Sequence, residues 1–316
     1  MKRAAVLCAS GIGDGLLMMI AAHHLKQKGY VVTIFHDANE ALSPLFAHAR
    51  FSPYPPLEHL TSTLKPFDRV LAQNDHSERS WHLFEDRKTL PQLSFFFPTS
   101  SSQIQESDYL FDPYFPVATN LAKGCEKLLG TFPSKDNTLP IPEGKTHRKY
   151  PKRVVIHPTS NDLKRNWSPR QFLRLAQTLE HAGYTLSFCV APHERKNWEH
   201  LQNVPKFQNL QEVASYIYES GYLIGNDSGL GHLASNLKIP TLTISGNLKR
   251  VRLWRPDWCL GEIVTPLLPL PNFKGIRLRI RENFWQHFIS VRRTLKAFHH
   301  LVKKYETTSK SSSHLF

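Results

Sequence analysis

Residues 222–246, YLIGNDSGLGHLASNLKIPTLTISG, decide how the chain is read. Tyr222, Leu223 and Ile224 form a short apolar strand, residues 225–229 a tight turn, Leu230 to Leu237 a helix, and Thr241 to Ile244 a second apolar strand. The small turn residues let another molecule approach the backbone. The first amides of the helix point outward with no partner inside it, and anions bind at such positions. Asp227 and Ser228 are also residue types that cap a helix, so a structural reading of the pair stands beside the binding one.

Working outward, the same strand, turn, helix, strand order opens the chain. Arg3 to Ala9 is an apolar strand, Ser10 to Gly15 a glycine-rich turn, Leu16 to Lys28 a helix stopped by Gly29, and Tyr30 to Phe35 the next strand. Gly11, Gly13 and Gly15 do not complete the dinucleotide fingerprint, because position 16 is leucine. A nucleotide-dependent oxidoreductase would need that fingerprint. In the second half, Arg153 to Pro158 is a strand leading into the basic loop TSNDLKRNWSP (159–169). Ser168-Pro169 then starts a helix over 170–183, whose apolar face is Phe172, Leu175, Ala176 and Leu179. A strand at 184–190 and a helix at 211–220 lead back to the opening stretch. Residues 37–66 and 75–142 give few periodic signals.

Asn226-Asp227-Ser228-Gly229, followed by His232-Leu233-Ala234, Pro240 and Gly246, resembles the C-terminal sugar-nucleotide motif of glycosyltransferase family 9, the heptosyltransferases of lipopolysaccharide core assembly. The resemblance implies an α/β fold of the GT-B kind, two Rossmann-like domains facing a cleft. It implies a nucleotide-sugar donor, ADP-heptose first among them, and an anionic lipid-linked saccharide acceptor. Gly13-Asp14 matches the family's Gly-Asp pair, which makes Asp14 the expected catalytic base, with a helix cap as its structural alternative. The family usually has proline six residues later, where this chain has Ile20. Phe67 to Asn74 resembles the family's next strand, near the acceptor. The family's phosphate-neutralising lysine usually stands two residues before the tryptophan of Trp-x-Pro. Here Arg165 is two before Trp167 and Lys164 three, so Lys164 is favoured and Arg165 kept beside it. Glu194 matches a glutamate near the nucleoside ribose, where a carboxylate can accept both hydroxyl protons. Asp227 is expected to orient the turn or meet sugar hydroxyls, Ser228 and Gly229 to offer amides to the diphosphate, and His232 to face the pocket or pack as a core histidine. No metal and no cofactor are expected, in keeping with the absence of a DxD pair.

Composition fits this reading and narrows the others. The 316 residues are enough for two domains. These are expected over 1–142 and 153–306, with a polar, basic linker at 143–152 and a Ser-rich disordered tail at 307–316. The most apolar N-terminal segment is broken by Asp14 and three glycines, so a cytoplasmic protein is expected. Four scattered cysteines read as small core residues. A formal charge of +14 calls for a polyanionic partner. No nucleic-acid motif is present, and no nucleic acid is expected. Basic residues from Arg277 onward accompany Trp285, Phe288, Leu295, Phe298 and Leu301 on an amphipathic helix expected from Glu282. Its apolar stripe is either core or a peripheral contact with an anionic membrane. A catalytically degenerate GT-B scaffold and a polyanion-binding protein are the alternatives to an active transferase.

Overall fold

The computed structural model describes residues 1–267 and 284–313, with 309–313 as backbone only. It divides into two units, Met1–Pro140 and Ile141–Phe316.

The first unit alternates strands and helices: β1 (Arg3–Leu7), α1 (Ile12–Gln27), β2 (Val31–Phe35), α2 (Asn39–Leu42), β3 (Arg50–Ser52), α3 (Leu57–Leu64), β4 (Arg69–Gln73), α4 (Glu78–Glu85), β5 (Leu93–Phe97), β6 (Tyr109–Leu110) and α5 (Val117–Leu129). The strands are parallel in the order β3-β2-β1-β4-β5-β6, a doubly wound sheet. Leu16 to Ala22 are all buried, because α1 lies between β1 and β2 on one side and α5 on another. An apolar sequence on every face is what such a position demands. In β5, Phe95, Phe96 and Phe97 are completely buried, so consecutive apolar residues rather than alternation mark this strand.

The second unit holds β7 (Tyr150–His157), α6 (Pro169–His181), β8 (Thr185–Phe188), α7 (Leu210–Tyr218), β9 (Ser220–Asn226), α8 (Gly229–Asn236), β10 (Thr241–Ile244), α9 (Leu248–Trp254), β11 (Gly261–Val264) and α10 (Val291–Ser313). Its parallel sheet runs β11-β10-β9-β7-β8. The core gathers Trp167, Phe172, Leu175 and Leu179 against Ile156, Ile224 and Ile244, and takes in Trp285, Phe298 and Leu301. The stripe of α10 is therefore core, packed on α6, β10 and β11. Burying each such side chain contributes about 1.5–3 kcal/mol. Phe288 is the exception, half exposed on a short 3-10 turn at Trp285–Phe288.

Two expectations meet different structure, and a third falls on residues that are not described. The expected linker is packed onto the second unit: the Arg148 amide donates to the Tyr218 carbonyl, and its guanidinium lies 4.6 and 4.0 Å from the rings of Tyr222 and Tyr305. The polar tail begins as helix, since α10 continues to Ser313. The helix start placed at Glu282, with Arg277, Arg279 and Arg281, lies outside the described residues. Among the described residues no helix is long and apolar enough to cross a membrane.

In both sheets the first strand has its sequence successor on one side and a later strand on the other: β1 between β2 and β4, β7 between β8 and β9. Ligands bind beyond the carboxyl ends of strands at such reversals.

Candidate active site

In the second unit that reversal joins two stretches singled out in the sequence. Asn226, the last residue of β9, is buried. Its Oδ1 accepts from the Trp167 amide at 2.9 Å, and its Nδ2 donates to the Pro158 carbonyl at 2.7 Å. One side chain thus clamps both ends of the basic loop after β7 to the turn after β9. Close approach continues at Gly225, where a Cβ would lie 2.8 Å from the His157 carbonyl oxygen.

The turn itself departs from the capping expectation. Ser228 occupies the N-cap position of α8 with extended backbone, but its hydroxyl makes no cap bond. Among the described residues its Oγ is buried without a partner, as is Nδ1 of His232 one turn on. Leaving a buried polar atom unsatisfied costs about 1–3 kcal/mol. Both lie at one helix start, where Gly229 is the first helical residue. Burial pushes the His232 pKa down to about 4 against the pull of the Asp227 carboxylate and a bond to the Trp254 backbone. The ring is neutral at pH 7. With Nε2 holding the backbone bond, Nδ1 carries the open lone pair. The ring also packs edge-on against Trp258, with centroids 6.1 Å apart.

Asp227 is buried and paired with Arg250: the guanidinium Nε donates to Oδ2 at 3.1 Å. Arg250 sits in α9, whose N-cap Asn247 accepts from the Arg250 amide. It lines a cavity of about 390 Å³ with Lys164, Arg165 and Asp162 from the basic loop, Ser245, Gly246 and Asn247 after β10, and Trp285. Asp162 caps a 3-10 turn, Leu163–Arg165, by accepting from the Lys164 amide, and its carboxylate lies 3.7 Å from the Arg165 Nε. Among the described residues Lys164 has no ion-pair partner. Trp285 closes one wall: its indole N–H donates to the Lys164 carbonyl at 2.8 Å, and a Cβ on Gly246 would sit 2.4 Å from its ring. Only glycine fits there.

Glu194 is not among the residues lining this cavity and sits in a 3-10 turn, Pro192–Asn197, after β8. Its Oε2 accepts from the Thr159 hydroxyl at 2.8 Å and the Ala191 amide at 3.1 Å, which ties it to the loop after β7. Nearby His157 is buried, its pKa lowered by desolvation, with Nδ1 bonded to the Cys189 carbonyl at 2.7 Å.

In the first unit, Gly11 is the N-cap of α1 and Asp14 the third helical residue, so Asp14 is not the cap. Gln73, at the end of β4, donates from Nε2 to Asp14 Oδ1 at 2.6 Å, and its own oxygen accepts from the Ala9 amide at 3.4 Å. His36 fixes the turn from the other side. The Ala38 amide donates to Nδ1 at 2.8 Å, so the Nε2 proton goes to the Gly11 carbonyl at 3.0 Å. Gly11 leaves room for the carboxylate, since a Cβ there would meet Asp14 Oδ2 at 2.5 Å. Gly13, the second helical residue, is buried. Ile20 is fully buried and α1 runs through it unbroken, so the missing proline leaves no mark on the helix.

The structure therefore gathers Lys164 and Arg165 in one cavity, sets Asp227 and Ser228 on the adjoining turn with Gly229 and His232 in the first turn of α8, and holds Gly13 and Asp14 at the reversal of the other sheet. Sequence reasoning missed Gln73 and Arg250. Gln73 ends a strand already singled out, and Arg250 follows Gly246 by four residues, the signals that could have found them. Among the described residues no group of three or more His, Cys, Asp or Glu side chains could hold a metal ion.

Comparison with known proteins agrees with the motif resemblance. Residues 114–256 match the model of glycosyltransferase family 9 (heptosyltransferase). A search of the curated proteins finds no match. Among solved structures, a family 9 glycosyl transferase from Veillonella parvula is 16% identical, with 96% of this chain and 98% of that one covered and a TM-score of 0.68. The E. coli heptosyltransferase WaaC, solved with ADP, is 14% identical over 95% and 99% of the two chains, TM-score 0.65. E. coli ADP-heptose LPS heptosyltransferase II is 15% identical over 96% and 99%, also at 0.65. The fold is thus the GT-B-like one expected.

Proposed function

We propose, from the match of residues 114–256 to the model of glycosyltransferase family 9, that this chain moves a heptose from ADP-heptose, with inversion, to an anionic lipid-linked saccharide of the lipopolysaccharide core, at the cytoplasmic face of the membrane. The observation that carries the donor half of this reading is the pair of buried, unpartnered atoms, Ser228 Oγ and His232 Nδ1, beside a cation-lined cavity. A sugar nucleotide brings the hydroxyl donors and phosphate acceptors such a site lacks. ADP and ADP-2-deoxy-2-fluoro heptose occupy WaaC, a chain of the same fold.

The chemistry divides between the units. Inverting transfer needs a base on the acceptor hydroxyl, and Asp14, aimed by Gln73, takes that proton as the oxygen attacks the anomeric carbon. The bond from that carbon to the diphosphate breaks, and the departing charge needs fixed positive partners. Lys164, with Arg165 beside it, supplies the charge, and the α8 amides at Ser228 and Gly229 supply oriented dipoles. His232 Nδ1 accepts from a donor hydroxyl. Glu194 receives the ribose hydroxyls through its oxygen not engaged by Thr159 and Ala191.

Thermal-shift titration against ADP, UDP, GDP and CMP, followed by product analysis of transfer from ADP-heptose, tests the reading. Selective stabilisation by ADP, with a product of inverted anomeric configuration, is the expected outcome. Stabilisation by another nucleotide alone would replace the donor. Binding without transfer to any lipid-linked saccharide would favour the degenerate scaffold.

A further inference from the structure

Arg250 belongs to none of the motifs that carried the functional reading, yet among the described residues it is the only cation lining the cavity that a buried acid anchors. The Asp227 carboxylate, 8% exposed, holds the guanidinium Nε at 3.1 Å, while the Arg250 side chain is 43% exposed on the cavity side. Its backbone is equally set, because Asn247 caps α9 through the Arg250 amide at 3.1 Å. A guanidinium whose Nε–H is taken keeps four N–H donors on its two Nη atoms, in a plane fixed by the first bond. Among the described residues neither Nη has a hydrogen-bond partner. Phosphate oxygens are the acceptors that such a fork fits, two at a time.

The charge around the cavity supports the same assignment. Lys164, Arg165 and Arg250 face it together with Asp162, and Asp227 lies behind Arg250. Arg165 leans on Asp162 at 3.7 Å, too long for a hydrogen bond, so it turns readily to a stronger anion. Arg250 cannot turn away so freely. Asp227 then serves as the residue that positions a cation, which accounts for a buried carboxylate beside a turn that binds anions.

We propose that Arg250 is a donor-binding residue that grips the distal phosphate of a nucleoside diphosphate, with Asp227 setting its orientation, so that the site discriminates a diphosphate from a monophosphate. This rests on the nucleotide-sugar reading above.

Calorimetric titration of the full chain with ADP, AMP and inorganic pyrophosphate tests it, in wild type, Arg250→Gln and Arg250→Lys, with melting temperatures measured in parallel. The expected result is a loss of about 10- to 100-fold in ADP and pyrophosphate affinity for Arg250→Gln, less than about 3-fold for AMP, and an intermediate loss for Arg250→Lys. Equal losses for ADP and AMP, with a lowered melting temperature, would make Arg250 a structural tether for Asp227 and overturn the proposal. Unchanged ADP and pyrophosphate binding in Arg250→Gln would also overturn it, leaving the donor reading intact. A wild type that binds neither ADP nor pyrophosphate would sink the donor reading and this inference with it.

Discussion

The turn after β1 and the turn after β9 each lie beyond the carboxyl end of a strand bordering the reversal of its sheet, β1 beside β4 and β9 beside β7, yet they are finished differently. In the first, the polar groups are answered from within: Gln73 holds Asp14, and His36 holds Gly11. In the second, Ser228 Oγ and His232 Nδ1 are buried with no partner among the described residues. A group that must move a proton needs a fixed direction before the substrate arrives. A group that must hold a ligand needs unfilled valence. The contrast follows the division between chemistry and binding proposed above, and each half can be broken separately.

The largest effect is expected at the first turn. Asp14→Asn keeps the Gln73 contact but removes the basic oxygen, so kcat should fall about 10²- to 10⁴-fold while ADP affinity holds. Initial rates and an ADP titration on one preparation measure both, and loss of both together would make Asp14 structural. Next comes His232. The unfolded chain takes up a proton near pH 6.5 that the folded chain refuses until about pH 4, so this stability is fully present above pH 6.5 and is lost as pH falls through that window. Urea denaturation at pH 7 and pH 4.5 should show about 2–3 kcal/mol more acid loss in wild type than in His232→Gln. An equal loss would mean that His232 is not held neutral.

Asn226→Ala should cost about 2 kcal/mol, since it strips partners from the Trp167 amide and the Pro158 carbonyl together. Urea unfolding measures this, and ADP affinity should fall with it as the basic loop loses its clamp. The smallest effect is also the most pointed. Ser228→Ala removes a hydroxyl buried without a partner, so the unliganded protein should gain about 1 kcal/mol while ADP-heptose binding weakens. A rise in melting temperature without ligand and a smaller shift with it would sharpen the comparison, and a fall in both would erase it.

The reading from sequence reached the second turn because its elements are local: β9, α8 and β10 are consecutive, each marked by apolar runs and small residues. The sequence places the start of α8 one residue late and leaves Ser228 between a cap and a ligand contact, because a serine before a helix looks the same whether its hydroxyl bonds the helix or faces a ligand. Gln73 and Arg250 escaped because their roles are set through space: Gln73 reaches Asp14 across 59 positions, and Arg250 reaches Asp227 across 23. The stretch from Asp75 to Pro142 hid α4, β5, β6 and α5. There, β6 is two residues long and the three phenylalanines of β5 carry no alternation. The apolar residues of α10 were found, but sequence could not say whether a core or a lipid surface covers them. Phe298 and Leu301, fully buried in the second unit, give the answer.

Trp285 forms a wall of the cavity, held by the Lys164 carbonyl and seated on Gly246. Its indole is also a chromophore, 2% exposed and lining the cavity assigned to the diphosphate. Filling that cavity changes the charge and the water next to the ring. The protein therefore carries its own optical reporter of occupancy: the difference in emission between wild type and Trp285→Phe on adding ADP reads the site directly, without a label.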